Sequence, residues 1–395
     1  MQPLQPSPAP EDPGGLTPTR RQTLRAGAAA SLLGVAGLET SCLSPRTKDQ
    51  ADEQVGAVKN EQRSVLVVLV DQHRFDHTGY AGHPLAWTPS LDRLASQSTR
   101  FEACYAAVPL CAPSRQSLVT GQPASIHGTF RNRHAAVEGE RTLFHDITAG
   151  GHVTGFFGKT HCNVEGFGRV QSQEDLLENR RRSEPDTVLA GTGRIVRDAP
   201  AAIPFLEPYN PRYQDAGRGA VFHMEEAVTS ATLAFLEGIP KGRPFFAIAS
   251  YLAPHPPLFP PQEFLERFLE APVVVDRSYR AQASELPRDL RRRRKGQRIP
   301  RLRDEEADNI VRAYLASLAW TDWCVGRLLA GLEALGLDRD TVVVYTSDHG
   351  ELLGQHGLFG KRAFYEGAAR VPLLIRDPRR GSKPRILPRI TSGAM

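Results

Sequence analysis

The chain has 395 residues, 40% of them hydrophobic and 24% charged, with 34 glycines, 31 prolines and a formal charge of +5. Such a chain buries a sizeable core, which excludes a sequence too polar to fold and leaves room for one large α/β domain or two ordinary ones. The mild positive charge suits an anionic substrate without requiring one.

The N-terminal stretch "TRRQTLRAGAAASLLGVAGLETSC" pairs Arg20 with Arg21 ahead of a short run of Ala, Leu and Gly. The run is too short and too weakly apolar to span a bilayer. It reads as a twin-arginine export signal over residues 1–42, which predicts a periplasmic or secreted protein. Cys42 stands where a lipoprotein signal is cut, although Glu39 occupies a position that prefers an aliphatic residue. A membrane partner is therefore expected only if Cys42 carries lipid. Residues 43–63 are polar and read as a linker.

"SVLVVLV" (64–70) is a β-branched apolar run of the kind buried on both faces of an α/β sheet, and it stops at Asp71. "TPSLDRLASQS" (88–98) predicts a helix with proline in its first turn. "HVTGFF" (152–157) and "PFFAIASYL" (244–252) predict further strands. "RDLRRRRKGQR" (288–298) reads as a solvated face, because no aromatic platform or recognition motif accompanies it; no nucleic-acid partner is expected. Residues 305–336 predict a long amphipathic helix, with Trp320 and Trp323 in the core, leading into "TVVVYTSDHG" (341–350). This strand repeats the design of the first and stops at Asp348 and His349. Functional groups gather at the carboxyl ends of strands in such sheets, so Asp71 and Asp348 are expected to meet. The tail 379–395 is basic and without a clear period.

The five cysteines, 42, 104, 111, 162 and 324, are irregularly spaced. A disulfide among Cys104, Cys162 and Cys324 stays open. In "LCAPSRQSLVTG" (110–121), Pro113 suits the first turn of a helix and Gly121 its end, placing Cys111 just before a helix N-terminus. That position favours a thiolate or a bound oxyanion, and Arg115 lies one turn on to pair with it. By these local features alone, a packed cysteine at a helix start is as good a reading as a functional one.

Cys111-Ala112-Pro113-Ser114-Arg115 followed by Thr120-Gly121 resembles the type I sulfatase signature C-x-P-S-R. "VLVDQHRFDHTGYAGHPLAWTPSLDRLASQSTRFEACYAAVPLCAPSR", "GKTH", "APHPP" and "SDHGELLGQHGLFGKRAFYEGAARVPLLI" are similar, in order, to further blocks of that family, over roughly residues 64–375. The resemblance implies an alkaline-phosphatase-like α/β fold: a central, mostly parallel sheet flanked by helices on both faces. The catalytic domain is expected over 64–378. Residues 379–395 are expected to be a remnant of a C-terminal subdomain that full-length relatives carry.

The resemblance further implies sulfate ester hydrolysis through formylglycine (3-oxoalanine), made from Cys111 by a formylglycine-generating enzyme that reads C-x-P-x-R. In that family one hydroxyl of the hydrated aldehyde attacks sulfur and the other drives release of sulfate, a metal-assisted covalent mechanism. Asp71, Gln72, Cys111, Asp348 and His349 match the metal ligands, whose hard oxygens suit Ca²⁺, with Mg²⁺ or Mn²⁺ also admitted. Gln72 departs from the aspartate that many members carry there, which removes one negative charge. Lys159 and His161 match the G-K-x-H pair, His255 the histidine at the sulfate or leaving oxygen, and Lys361 a sulfate-contacting lysine. Arg115 holds the formylglycine side. His73, His77 and His83 are read as loop packing, and Cys104 as a packed thiol. The implied partner is a sulfated small molecule or glycan. Two alternatives stay open: a phosphonate monoester or phosphodiester hydrolase using the same site, and an inactive truncated family member.

Overall fold

A computed structural model describes residues 62–133, 139–172, 175, 224–256, 258, 260–273, 283–296, 304–381 and 383–392. The export segment, Cys42 and nearly all of the linker lie outside the described residues. The strands are β1 (Ser64–Val70), β2 (Thr99–Tyr105), β3 (Val153–Gly158), β4 (Arg169–Ser172), β5 (Phe245–Tyr251), β6 (Thr341–Ser347), β7 (Arg370–Arg376) and β8 (Arg385–Ser392). They form one sheet in the order β4-β3-β5-β1-β6-β7-β2-β8. The five strands β4, β3, β5, β1 and β6 run parallel. β7 runs antiparallel to β6 and β2, and β8 parallel to β2, so the sheet is mostly parallel, as expected.

The described helices of seven or more residues are α1 (Pro89–Ala95), α2 (Cys111–Thr120), α3 (Leu143–Ala149), α4 (Met224–Glu237), α5 (Arg288–Gly296) and α6 (Asp304–Ala334). The period-2 alternation of β1 sends Leu66, Val68 and Val70 to one face, where α1, α4 and α6 cover them completely. Each such side chain contributes about 1.5–3 kcal/mol by leaving water. On the opposite face Val119 of α2 and Phe144 of α3 pack against Leu69, Phe156, Phe246 and Ile248.

Three expectations need correction. β1 is not buried throughout on both faces: α2 and α3 cover only part of the second face, so Val65 and Val67 are half-buried. A cavity of about 320 Å³ lies against that face, bordered by Val67, Val344, Leu373 and Ile375. The tail, read as aperiodic, supplies β8. Its pairing with β2 is through the backbone, so it needs no apolar period, and Ile386 stays exposed. Trp320 is 2% exposed and belongs to the core as expected, but Trp323 is 41% exposed on the outer side of α6, with Arg327 over its ring. Among the described residues, no helix is long and apolar enough to cross a membrane.

Candidate active site

β3, β5, β1 and β6 are neighbours and parallel, so their carboxyl ends lie along one edge of the sheet. Val70 is in register with both Tyr251 and Ser347, and Gly158 with Ser250. The residues that follow these ends are Asp71, Asp348, Lys159 and the turn leading to His255. Two acids 277 positions apart therefore meet because two strands stop level with each other. Gly158 shapes the end of β3: its φ is +101°, and a Cβ there would come within 2.1 Å of the Ser250 carbonyl oxygen. That close approach lets the Lys159 N–H donate to the same oxygen at 3.1 Å and turns Lys159 into the site.

Cys111 is the first residue of α2, one position inside the helix rather than just before it, because Leu110 takes the cap. Gly121 closes the helix in the left-handed conformation, as its sequence position predicts. The Cys111 sulfur lies 3.2 Å from His349 Nε2, 3.7 Å from Lys159 Nζ and 4.0 Å from Asp71 Oδ1. His161 and His255 also act on it electrostatically. Burial pushes the thiol up, but Lys159, Lys361 and His349, with His161, bring it well below its ordinary value.

Asp71, Cys111, Asp348 and His349 are all buried, with ligand atoms within 4.8 Å of one another. His349 Nδ1 lies 3.0 Å from the Gly350 carbonyl, which can only accept, so Nδ1 carries a proton and Nε2 is the nitrogen turned inward. Nε2 is 3.6 Å from both Asp71 Oδ1 and Asp348 Oδ1. Two carboxylates converging with an inward imidazole nitrogen fit a hard divalent cation. Burial pushes Asp71 up, as does the Cys111 sulfur, yet Lys159, His255 and Lys361 hold its carboxyl well below the usual carboxylate range. Lys159 is ion-paired directly with Asp71. Burial draws the Lys159 ammonium down, but Asp71 and the Cys111 sulfur raise it above its ordinary value.

Arg115 is placed differently from the expectation. It does not reach back toward the sulfur; it lies behind the carboxylates, 1% exposed. Its Nε donates to Asp348 Oδ2 at 2.7 Å and its Nη2 meets Asp71 Oδ2 at 3.4 Å. Its Nη1 donates to the Lys159 carbonyl at 2.7 Å and to Ser250 Oγ at 2.8 Å. The guanidinium fork thus ties the ends of β1, β3, β5 and β6 together.

Gln72 follows Asp71 with φ 68°, donating its N–H to Asp348 Oδ1 at 3.1 Å. Its Oε1 accepts from Lys361 Nζ at 2.5 Å. His255 is half-buried, with Nδ1 2.5 Å from the Pro256 carbonyl. Burial, then Lys361 and Lys159, lowers its pKa. His161 stands exposed at the rim with φ 50°. All ten residues singled out from the sequence converge on this edge.

The histidines of the first loop pack as expected. His73 Nδ1 lies 2.6 Å from Tyr345 Oη, and His77 pairs with Asp76. His83 Nδ1 accepts from the Leu85 and Ala86 N–H groups. Burial lowers His73 to about 3, which suits a neutral packing residue. Cys104, Cys162 and Cys324 are free thiols, so the disulfide left open does not form among them. Burial pushes Cys104 up to about 11, consistent with an inert packed thiol.

Sequence reading missed four residues around the site. Asn132 Oδ1 accepts from the Ala112 N–H at 3.1 Å, in the first turn of α2. Ser250 Oγ bridges Arg115 and the Lys159 carbonyl. Glu351 hydrogen-bonds the Gln72 side chain. Glu225, at the start of α4, holds the Leu252 and Ala253 N–H groups ahead of His255. Each acts through tertiary contacts; only Glu351 falls in a quoted motif block.

The family model described as Sulfatase matches residues 63–393. An arylsulfatase of Clostridium perfringens is 26% identical over 80% of this chain and 68% of its own length. An ulvan-active sulfatase of Formosa agariphila is 27% identical over 84% of this chain and 58% of its own. The chain thus spans about three fifths to two thirds of these relatives. In fold, the crystal structure of a phosphonate monoester hydrolase of Agrobacterium radiobacter is similar with a TM-score of 0.65 and 22% identity, over 84% of this chain and 72% of that one.

Proposed function

Because the chain belongs to the sulfatase family, we propose that it hydrolyses a sulfate ester to an alcohol and inorganic sulfate at the Cys111 centre. The observation that carries this reading is the convergence of Cys111 with two buried carboxylates, an inward His349 nitrogen and Lys159. Asp71, Asp348 and His349, with Gln72 beside them, would hold the divalent cation, for which Ca²⁺ is the best fit and Mg²⁺ or Mn²⁺ are compatible. When present, a formylglycine at Cys111 supplies a hydroxyl nucleophile through its hydrate, and the cation supplies positive charge beside it.

The remaining work falls to residues of this chain. Lys159 and Lys361 provide fixed positive charge for a sulfate whose negative charge redistributes in the transition state. Arg115 pre-organises Asp71 and Asp348 without spending its donors on substrate. His255 keeps its Nδ1 proton against the Pro256 carbonyl and presents Nε2 to the site; in the doubly protonated ring the Nε2 proton is the one assigned to the leaving alcohol oxygen. Its lowered pKa makes that protonated form the stronger acid and also the less populated one as pH rises. His161 at the rim completes the anion's surroundings. The buried carboxylates and Arg115 keep bulk water from competing for the same contacts.

A second reading keeps the same centre for a phosphonate monoester or phosphodiester. It rests on Gln72, which stands where many family members carry an aspartate and leaves the cluster one negative charge short; sulfate esters, phosphonate monoesters and phosphodiesters are all monoanions, so the same centre accommodates each of them. Phosphonate monoester hydrolysis is also the activity named for a structural neighbour. The substrate is proposed to be a sulfated glycan or small molecule, as the named activity of the Formosa relative suggests. We further propose maturation by a formylglycine-generating enzyme and export by the twin-arginine route. Paired kcat/KM measurements on an aryl sulfate and an aryl phosphonate monoester, with enzyme matured at Cys111, test the assignment. Faster sulfate turnover is expected, and faster phosphonate turnover would reverse the ranking.

A further inference from the structure

Gln72 has an unusual amount of support for a residue that only neighbours the carboxylates. Its backbone is held in the left-handed region at φ 68°. Its N–H donates to Asp348 Oδ1 at 3.1 Å, and its carbonyl accepts from Tyr314 Oη at 2.8 Å. The side chain then has a choice, because an amide presents oxygen at one end and NH₂ at the other. The Glu351 carboxylate removes that choice. Glu351 is buried, and its Oε2 accepts from Gln72 Nε2. A carboxylate in this position can only accept, so it selects the amide orientation that turns Gln72 Oε1 toward Lys361 Nζ, at 2.5 Å. Lys361 in turn acts electrostatically on Asp71 and Cys111.

The other oxygen of Glu351 is anchored independently. Oε1 accepts from the Leu353 N–H at 2.9 Å and from the Gly360 N–H, immediately before Lys361. One carboxylate thereby joins the Gln72 side chain to the loop that carries the lysine facing it. We infer that Glu351 is a positioning residue: it fixes the Gln72 amide so that oxygen, not NH₂, faces the cation-binding carboxylates and Lys361. This inference rests on the cation reading of the site, toward which an amide oxygen is a ligand and an amide NH₂ a repulsive group.

Calcium titration of the full-length, metal-stripped protein tests it without any turnover. Glu351→Gln keeps an oxygen for Leu353 and Gly360 but offers an NH₂ to Gln72, so the Gln72 amide must turn. Calcium affinity is expected to fall about 10–100-fold, the range typical of partners that orient a ligand. The exchange variant, Gln72→Glu with Glu351→Gln, restores a matched donor–acceptor pair at constant charge, with an oxygen facing the site. It is expected to recover at least wild-type affinity, a rescue that a loop-bracing role alone would not produce. Wild-type affinity in Glu351→Gln, or no recovery in the exchange variant, would overturn the inference. If Glu351→Gln fails to fold, the exchange variant still decides: wild-type affinity supports the pairing, and weak binding or failure to fold counts against it. Absence of calcium binding in the wild type would instead remove the cation reading itself, and the inference with it.

Discussion

Arg115 donates to Asp348, Asp71, Ser250 and the Lys159 carbonyl from a position closed to solvent. Removing one member of such a buried ionic cluster leaves the others uncompensated, at a cost of about 3–5 kcal/mol. Arg115→Ala is therefore expected to lose about that much stability in denaturant titrations without added cation. A loss within about 0.5 kcal/mol, the size of an ordinary surface change, would show that the carboxylates do not depend on it. The ten candidate site residues could be named together from the sequence because they sit in short blocks whose order resembles a known family. The direction in which Arg115 works was not legible. Its motif position suggested a partner one turn away, whereas its partners lie 44 and 233 positions distant. Glu351 lay in plain view inside "SDHGELLG", but nothing in the spacing showed that it faces Gln72.

At the junction between α4 and β5, Glu225 Oε1 accepts from the N–H groups of Leu252 and Ala253, at 3.2 and 2.7 Å. Its Oε2 has no hydrogen-bond partner among the described residues. Burial pushes this carboxyl up from 4.5 to about 7. The folded-state value lies above the unfolded one, so the stabilising contribution is complete below about pH 4.5 and is lost as pH rises through about 7. Glu225→Gln keeps the accepting oxygen and removes the ionisation. The variant is expected to melt higher than wild type at pH 8 and close to it at pH 5, followed by thermal denaturation at both values. Equal melting differences at the two pH values would contradict this.

The same junction shows what sequence conveys about elements. β1, β3, β5, β6 and α6 were legible within a residue or two, because short apolar runs, β-branched in β1 and β6 and rich in phenylalanine in β3 and β5, and a sustained helical period are strong local signals. β2 and β8 were not. β2 mixes charged and apolar residues and carries a register shift between Phe101 and Cys104, and β8 is held chiefly by backbone pairing to it. Strands of this kind, at the sheet's edge or next to it, are specified by the strands already present beside them.

Across the whole molecule, the parallel order β3-β5-β1-β6 does what no local motif does: it stops four strands along one edge and gathers their next residues into one centre. The positive charge of +5 is spread over the chain, and the charges that matter are the few closed in at that edge. The parallel sheet was legible in outline; the cavity against its second face was not, because coverage of a face depends on where α2 and α3 come to rest. The account as a whole turns on Cys111 being a precursor rather than the reagent. Peptide mass analysis across residues 110–121, on protein made in its native host and turning over a sulfate ester, tests this directly. The account predicts an aldehyde in place of the Cys111 thiol. An intact thiol in protein that hydrolyses the ester at full rate would contradict it.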